Sequence, residues 1–202
     1  VVKFSGFLTG TEQISIKSDK TLLGIGDTAH LEGIGISINQ ARNVIVRNIS
    51  IAHVCTTGTA SGDAIEVNGG SRNILIDHCE FNSDRNHGKD YYDGLLDIKN
   101  GSTFITIAQN RFHDHYKACL ISSGPEQYID TVARLTFHHN YFYNCTSRLP
   151  SLRFGKAHIF NNYFKDSDEA IHSRIGAWVR VEGNYFDNVA HAVANDDADG
   201  IG

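Results

Sequence analysis

The sequence predicts an all-β fold: one domain, a right-handed parallel β-helix, with loops inserted on one face. Three observations predict it. Six segments end alike: NVIVRNISI at 43–51, NILIDHCEF at 73–81, FITIAQNRF at 104–112, LTFHHNYF at 135–142, HIFNNYF at 158–164 and VRVEGNYF at 179–186. Within them Val, Ile and Phe alternate with polar residues in short runs, a period that suits strands rather than helices. An asparagine also stands two residues before the end of each of the last four: Asn110, Asn140, Asn162 and Asn184.

Each observation fixes a part of the architecture. The segments end at Ile51, Phe81, Phe112, Phe142, Phe164 and Phe186, spaced 30, 31, 30, 22 and 22 residues apart. Such a period marks a solenoid, in which every repeat buries its apolar face on its neighbours. The shorter spacing fits one coil of a parallel β-helix, and the longer ones imply insertions of about eight residues. Right-handedness is the default for parallel crossovers. The recurring asparagine suits a stacked turn, where it tolerates left-handed backbone and its amide bonds the next rung. Insertions at 53–63, 82–93 and 113–131 are expected at one phase, projecting from one face and forming a groove.

Composition narrows the function classes. At 202 residues with a net charge of −5, the chain is one acidic domain without the basic run that nucleic acid requires. No apolar stretch approaches the roughly 18–20 residues of a membrane span, and no signal-peptide pattern opens the chain. The chain contains no methionine and opens on strand-like residues, Val1 to Phe4, so residues 1–202 are expected to be a β-helix domain without its flanking segments. Cys55, Cys79, Cys119 and Cys145 have no CxxC spacing and no readable pairing. A single solenoid without heptads reads as monomeric.

The chemistry concentrates in the insertions. Asp93 and Asp97 are four apart at a strand entry, with residues 93, 95 and 97 on one face and Leu96 and Ile98 inward. Asp63 opens the strand one repeat earlier; it shares phase with Ile65 and Val67, so it faces outward only if the chain bends near Gly62. Three carboxylates on adjacent coils make an oxygen cluster suited to Ca²⁺, although Asp also serves commonly in turns and caps. Lys117 enters the next coil, and Arg148 and Arg153 the one after. Acid on one set of rungs and base on the next is a pattern for an extended anionic ligand bridged by a cation. His113, His115, His138 and His139 raise the question of zinc, but His138 and His139 are adjacent on a strand and are expected to face opposite ways.

Four blocks in order, NILIDHCEF, DGLLDIKNGSTFITIAQNRFHDHYK, SRLPSLRFGKAHIFNNYF and AIHSRIGAWVRVEGNYF, resemble the pectate lyases of the pectate/pectin lyase superfamily over nearly the whole chain. The resemblance implies a secreted enzyme performing Ca²⁺-dependent β-elimination on polygalacturonate. It implies Asp63, Asp93 and Asp97 as calcium ligands, Arg148 as catalytic base, and Lys117 and Arg153 as binders of substrate carboxylate. Asp77 and His78 match the family's Asp-His pair, read as structural. Ser61 stands where some members carry a further acid.

In such an elimination, removing the proton alpha to a uronate carboxylate builds enolate charge, which the carboxylate's own charge opposes and a cation and fixed positive groups stabilise. A guanidinium base, with a reference pKa above about 12, predicts an alkaline optimum. Rival readings are a pectin lyase acting on the methyl ester, a galacturonan hydrolase using Asp93 and Asp97 as its acid/base pair, and a polyuronate-binding solenoid without catalysis.

Overall fold

The computed structural model describes residues 1–55 and 61–196. Among these the chain is almost entirely strand and turn, with one 3₁₀ helix at Tyr128–Val132. Each coil contributes one strand to each of three parallel sheets. The first sheet has eight strands, from Val2–Phe4 through Lys20–Gly24, Arg42–Arg47, Arg72–Asp77, Thr103–Ala108, Arg134–His138 and Lys156–Phe160 to Trp178–Glu182. The second and third sheets are joined by the long strand Tyr163–Ser173, which runs through both, into one set of fourteen. The strand pairings are parallel, apart from one isolated antiparallel bridge between Cys55 and Tyr92.

The repeat forms the core as the sequence implies. Ile51, Phe81, Phe112, Phe142, Phe164 and Phe186 pair in register along the second sheet. The five Phe rings stack with centroids 5.0, 4.7, 5.1 and 4.9 Å apart. Phe81, Phe112, Phe142 and Phe164 are wholly buried. Two further coils precede the six repeats, with Leu31 paired to Ile51 and Leu8 to Leu31.

The asparagine row is a continuous ladder along the corner between the first and second sheets. Asn140 Oδ1 accepts from the backbone N–H and the side-chain amide of Asn110, while Asn140 Nδ2 donates to the Ile107 carbonyl and to Asn162 Oδ1. Asn162 and Asn184 repeat the pattern, and Asn110 caps it by accepting from Cys79 N–H. The left-handed backbone expected at these asparagines belongs instead to the residue before each. Asn48, His78, Gln109, His139 and Asn161 have φ between 53° and 57°, and Gly183 has 59°. One left-handed residue turns the chain through the corner, and the next supplies the amide.

Two insertions, 53–64, of which 56–60 lie outside the described residues, and 83–95, leave the corner between the second and third sheets, as expected. The third does not. Residues 111–117 are strand, and the extra length of that coil, containing the 3₁₀ helix, lies between Cys119–Ile121 of the third sheet and Arg134–His138 of the first. The groove is therefore built by two loops. No described helix is long and apolar enough to cross a membrane.

Candidate functional site

The corner between the second and third sheets, with the outer face of the third, gathers the charged residues singled out above. Strands Ile65–Asn68, Leu96–Ile98, Cys119–Ile121 and Ser151–Leu152 lie side by side there, aligning Glu66, Asp97, Leu120 and Ser151 in one row. Neighbouring rungs are about 4.8 Å apart, so acids and bases two coils apart still feel each other.

Asp63 is wholly buried, yet its carboxylate lies on the cleft side beside Gly94 and Asp97 rather than in the phase of Ile65 and Val67. Gly62, with φ 91°, provides the bend that takes it out of strand alternation. Its Oδ2 accepts from Ser61 Oγ at 3.3 Å, while Oδ1 is buried without a hydrogen-bond partner among the described residues. Asp97 is also buried, at 6 % exposure. The alternation expected over 93–97 is broken: the backbone amides of Leu95 and Leu96 both donate to the Ala118 carbonyl, at 2.8 and 3.0 Å, so both leucines point inward. Gly94 lies against the two buried acids, and a Cβ built on it would fall 2.7 Å from Asp63 Oδ1 and 2.9 Å from Asp97 Oδ1.

These carboxylates bear on each other. Burial, and then the Asp97 charge, push the Asp63 carboxyl up to about 8. Burial also raises Asp97, to about 6, against the pull of Lys99. Lys99 Nζ sits 3.0 Å from Glu66 Oε1 and 3.9 Å from Asp97 Oδ2. Asp93, more exposed, is turned toward Lys117, whose Nζ lies 3.2 Å from it and 2.7 Å from Asp90. Burial works against the Lys117 ammonium, but these two bonds outweigh it and raise its pKa.

Arg148 follows the strand Tyr141–Ser147 in a left-handed conformation, φ 63°. Its carbonyl accepts from Cys119 N–H at 2.7 Å, fixing it at the cleft corner. Its guanidinium lowers the pKa of Asp90 and Asp97, in each case as a lesser influence, yet makes no side-chain hydrogen bond or ion pair among the described residues. Arg153 lies past Ser151–Leu152, its Nη1 donating to the Ser122 carbonyl at 3.3 Å.

The structure thus brings Asp63, Asp93, Asp97, Lys117 and Arg148 into one cluster, with Arg153 on the same sheet further along. It also gives His115, raised from the sequence only as a question of zinc, a place beside Lys117. His115 is buried, its Nδ1 accepting from Lys117 N–H at 2.9 Å, its Nε2 without a partner among the described residues. Burial, then the Lys117 charge, lower it to about 4, so it is a neutral donor through Nε2. Asp77 and His78 pair with each other at 2.8 Å at the far corner, consistent with a structural role.

The donor set fits a hard cation: all oxygen, one carboxylate oxygen buried without a partner, and space kept open by Gly94. No three His, Cys, Asp or Glu among the described residues already converge as a metal site. Asp93 is the group held aside, by Lys117.

A β-helix with an acidic pocket beside a row of cations is a frame for gripping an extended anionic polymer. The chain belongs to the pectate lyase family, whose model matches residues 7–200. It is 45% identical over 189 residues to pectate lyase A of Emericella nidulans, covering 92% of this chain and 57% of that protein. It is 44% identical over 193 residues to the pectate trisaccharide-lyase of Bacillus licheniformis, covering 93% and 54%. It thus spans a little over half the length of these curated relatives. Among solved structures, the pectate lyase Bsp165PelA of Bacillus sp. N165 in complex with trigalacturonate superposes with a TM-score of 0.81 at 30% identity, over 92% of this chain and 73% of that one.

Proposed function

We propose that the protein is a Ca²⁺-dependent pectate lyase that cleaves polygalacturonate by β-elimination. The observation that carries this reading is the Arg148 guanidinium, without a side-chain partner among the described residues, close enough to bear on Asp90 and Asp97 beside the Lys117–Asp93 pair and the buried Asp63. Asp63, Asp93 and Asp97 would hold the cation, which when bound withdraws electron density from the substrate carboxylate. Lys117 and Arg153 grip substrate carboxylates and supply fixed positive potential as the enolate forms. Arg148 takes the proton alpha to the carboxylate; the C–H electrons become the new C=C bond, and the glycosidic oxygen leaves with the C–O pair and takes a proton from solvent. The products are an unsaturated sugar and a new chain end.

The step asks a guanidinium to act as base, which alkaline solution favours. Asp63 adds a second source of the same dependence. A carboxyl that holds its proton up to about 8 must release it to take a cation, so calcium binds more tightly as pH rises toward that value. The polymer is too large to enter a cell, which fits a secreted protein, and one chain carries the whole cleft, which fits a monomer.

The test follows ultraviolet absorbance on polygalacturonate at alkaline pH, with Ca²⁺ and then with excess chelator. The reading requires a rise that the chelator abolishes. Arg148→Ala should lower kcat by about 10²–10⁴-fold, the range of a lost general base, with Ca²⁺ binding unchanged. The split between a raised Asp97 and a Lys117-paired Asp93 also favours a second reading, hydrolysis by an acid/base pair. Hydrolysis yields reducing ends without absorbance, so the same assay separates the two.

A further inference from the structure

His138 and His139 are neighbours in sequence, and unbroken strand geometry would aim them at opposite faces. The structure does otherwise. The strand Arg134–His138 ends at the first, and the second takes the left-handed corner conformation, φ 56°. That turn brings the two rings together, with Nδ1 3.0 Å from Nδ1 and the ring planes at 90°. His138 is braced by Phe160, stacked at 5.2 Å, and His139 is exposed. Neither ring makes another hydrogen bond among the described residues.

We propose that His138 and His139 chelate a divalent transition-metal ion through their two Nδ1 atoms, at a site separate from the acidic cleft. The pair lies at the corner between the first and second sheets, whereas the cleft opens between the second and third. Metal–nitrogen bonds of about 2.0–2.1 Å place two nitrogens about 2.8–3.0 Å apart at a right angle, and about 3.3–3.4 Å apart at the tetrahedral angle. The observed 3.0 Å matches the right-angled pair, the geometry of square-planar Cu²⁺ or Ni²⁺. Between neutral rings one Nδ1–H donates to the other Nδ1. On metal binding that proton passes to solvent and solvent returns one to Nε2 of the same ring, so both rings bind as neutral Nε2–H tautomers with no net proton lost. Partial burial, then the neighbouring His139, lower the His138 pKa and keep its lone pair available at neutral pH. Among the described residues no third ligand closes the site, so water would fill the remaining positions. Two imidazoles are borderline donors, unlike the all-oxygen cleft, so the two sites sort metals by chemistry.

The test titrates the full chain, saturated with Ca²⁺, with CuCl₂, followed by calorimetry and by paramagnetic broadening of the histidine ring resonances. One equivalent binding well below millimolar concentration, with broadening at His138 and His139, is expected. His138→Gln and His139→Gln should each weaken binding at least tenfold, while His78→Gln, at the same corner two coils away, leaves it unchanged. Both rings lie at the surface, and an unchanged thermal melt verifies that the variants fold. Equal affinity in the wild type and both variants, absence of binding below millimolar Cu²⁺, or displacement of Cu²⁺ by excess Ca²⁺ would each overturn the proposal.

Discussion

Gly94 shows how far the cleft depends on a side chain that is not there. Its φ is not in the left-handed region, so its backbone accepts alanine, but the added methyl would press on the oxygens of Asp63 and Asp97. Gly94→Ala should therefore leave the fold intact in chelator and weaken Ca²⁺ binding at least tenfold by calorimetry; unchanged affinity would remove these two oxygens from the ligand set. His115 offers a second residue-scale test. It holds Lys117 by its backbone N–H and faces the cleft charges as a neutral donor. His115→Phe leaves that amide without its acceptor, at about 1–3 kcal/mol, and should raise KM more than it lowers kcat, because Lys117 then loses its fixed exit from the strand. Asp63, Asp93, Asp97, Lys117, Arg148 and Arg153 were legible because they stand in motifs. Gly94, Glu66 and Lys99 were not, because their meaning comes from register between coils about 30 residues apart, and His115 was raised only as a question of zinc. Whether Asp63 left the inward phase of Ile65 and Val67 turned on the Gly62 backbone, which the sequence pointed to and spacing alone could not settle.

At the scale of an element, the asparagine ladder is where a single change travels furthest. Asn140 Oδ1 satisfies two donors of Asn110, and its own amide serves Ile107 and Asn162, all of it buried. Asn140→Leu strands several buried polar groups at once, each costing about 1–3 kcal/mol. Denaturant unfolding should show a loss of about 3 kcal/mol or more. Phe142→Leu, inside the ring stack one rung position away, keeps the core apolar and should cost less, about 1–2 kcal/mol. If the order were reversed, the ladder would be decoration on a core held by aromatic packing. The ladder's phase could be read from sequence because one residue type repeats. The left-handed residue before it could not, since Asn48, His78, Gln109, His139, Asn161 and Gly183 share a conformation and no side-chain chemistry. The first two coils escaped notice for a related reason: Leu8 and Leu31 fill the place of the phenylalanines without the flanking pattern.

Across the whole molecule, the cleft leaves a signature in the dependence of stability on pH. Asp63, raised from 3.8 to about 8, and Asp97, raised to about 6, keep protons in the folded chain that the unfolded chain releases near pH 4. A raised carboxyl stabilises fully below its unfolded value and loses that contribution as pH rises to its folded value. His115, lowered from 6.5 to about 4, works the other way: its contribution is complete above 6.5 and is lost as pH falls toward 4. Between pH 4 and 6 the histidine offsets one of the two carboxyls, and between 6 and 6.5 it offsets the one remaining. From 6.5 to 8 only Asp63 is left, and no other described group with a shifted pKa crosses that window. One proton changes stability by about 1.4 kcal/mol per pH unit, so the chelated protein should lose about 2 kcal/mol between pH 6.5 and 8. Asp63→Asn, which cannot ionise, should flatten that segment and make the metal-free protein the more stable of the two at pH 8. Saturating Ca²⁺ should flatten it in the wild type and do nothing for the variant. Melting curves in chelator at both pH values, for both proteins, decide it: a wild-type slope that persists in Asp63→Asn would place the titrating group elsewhere and remove the buried acid as a source of the proposed alkaline dependence.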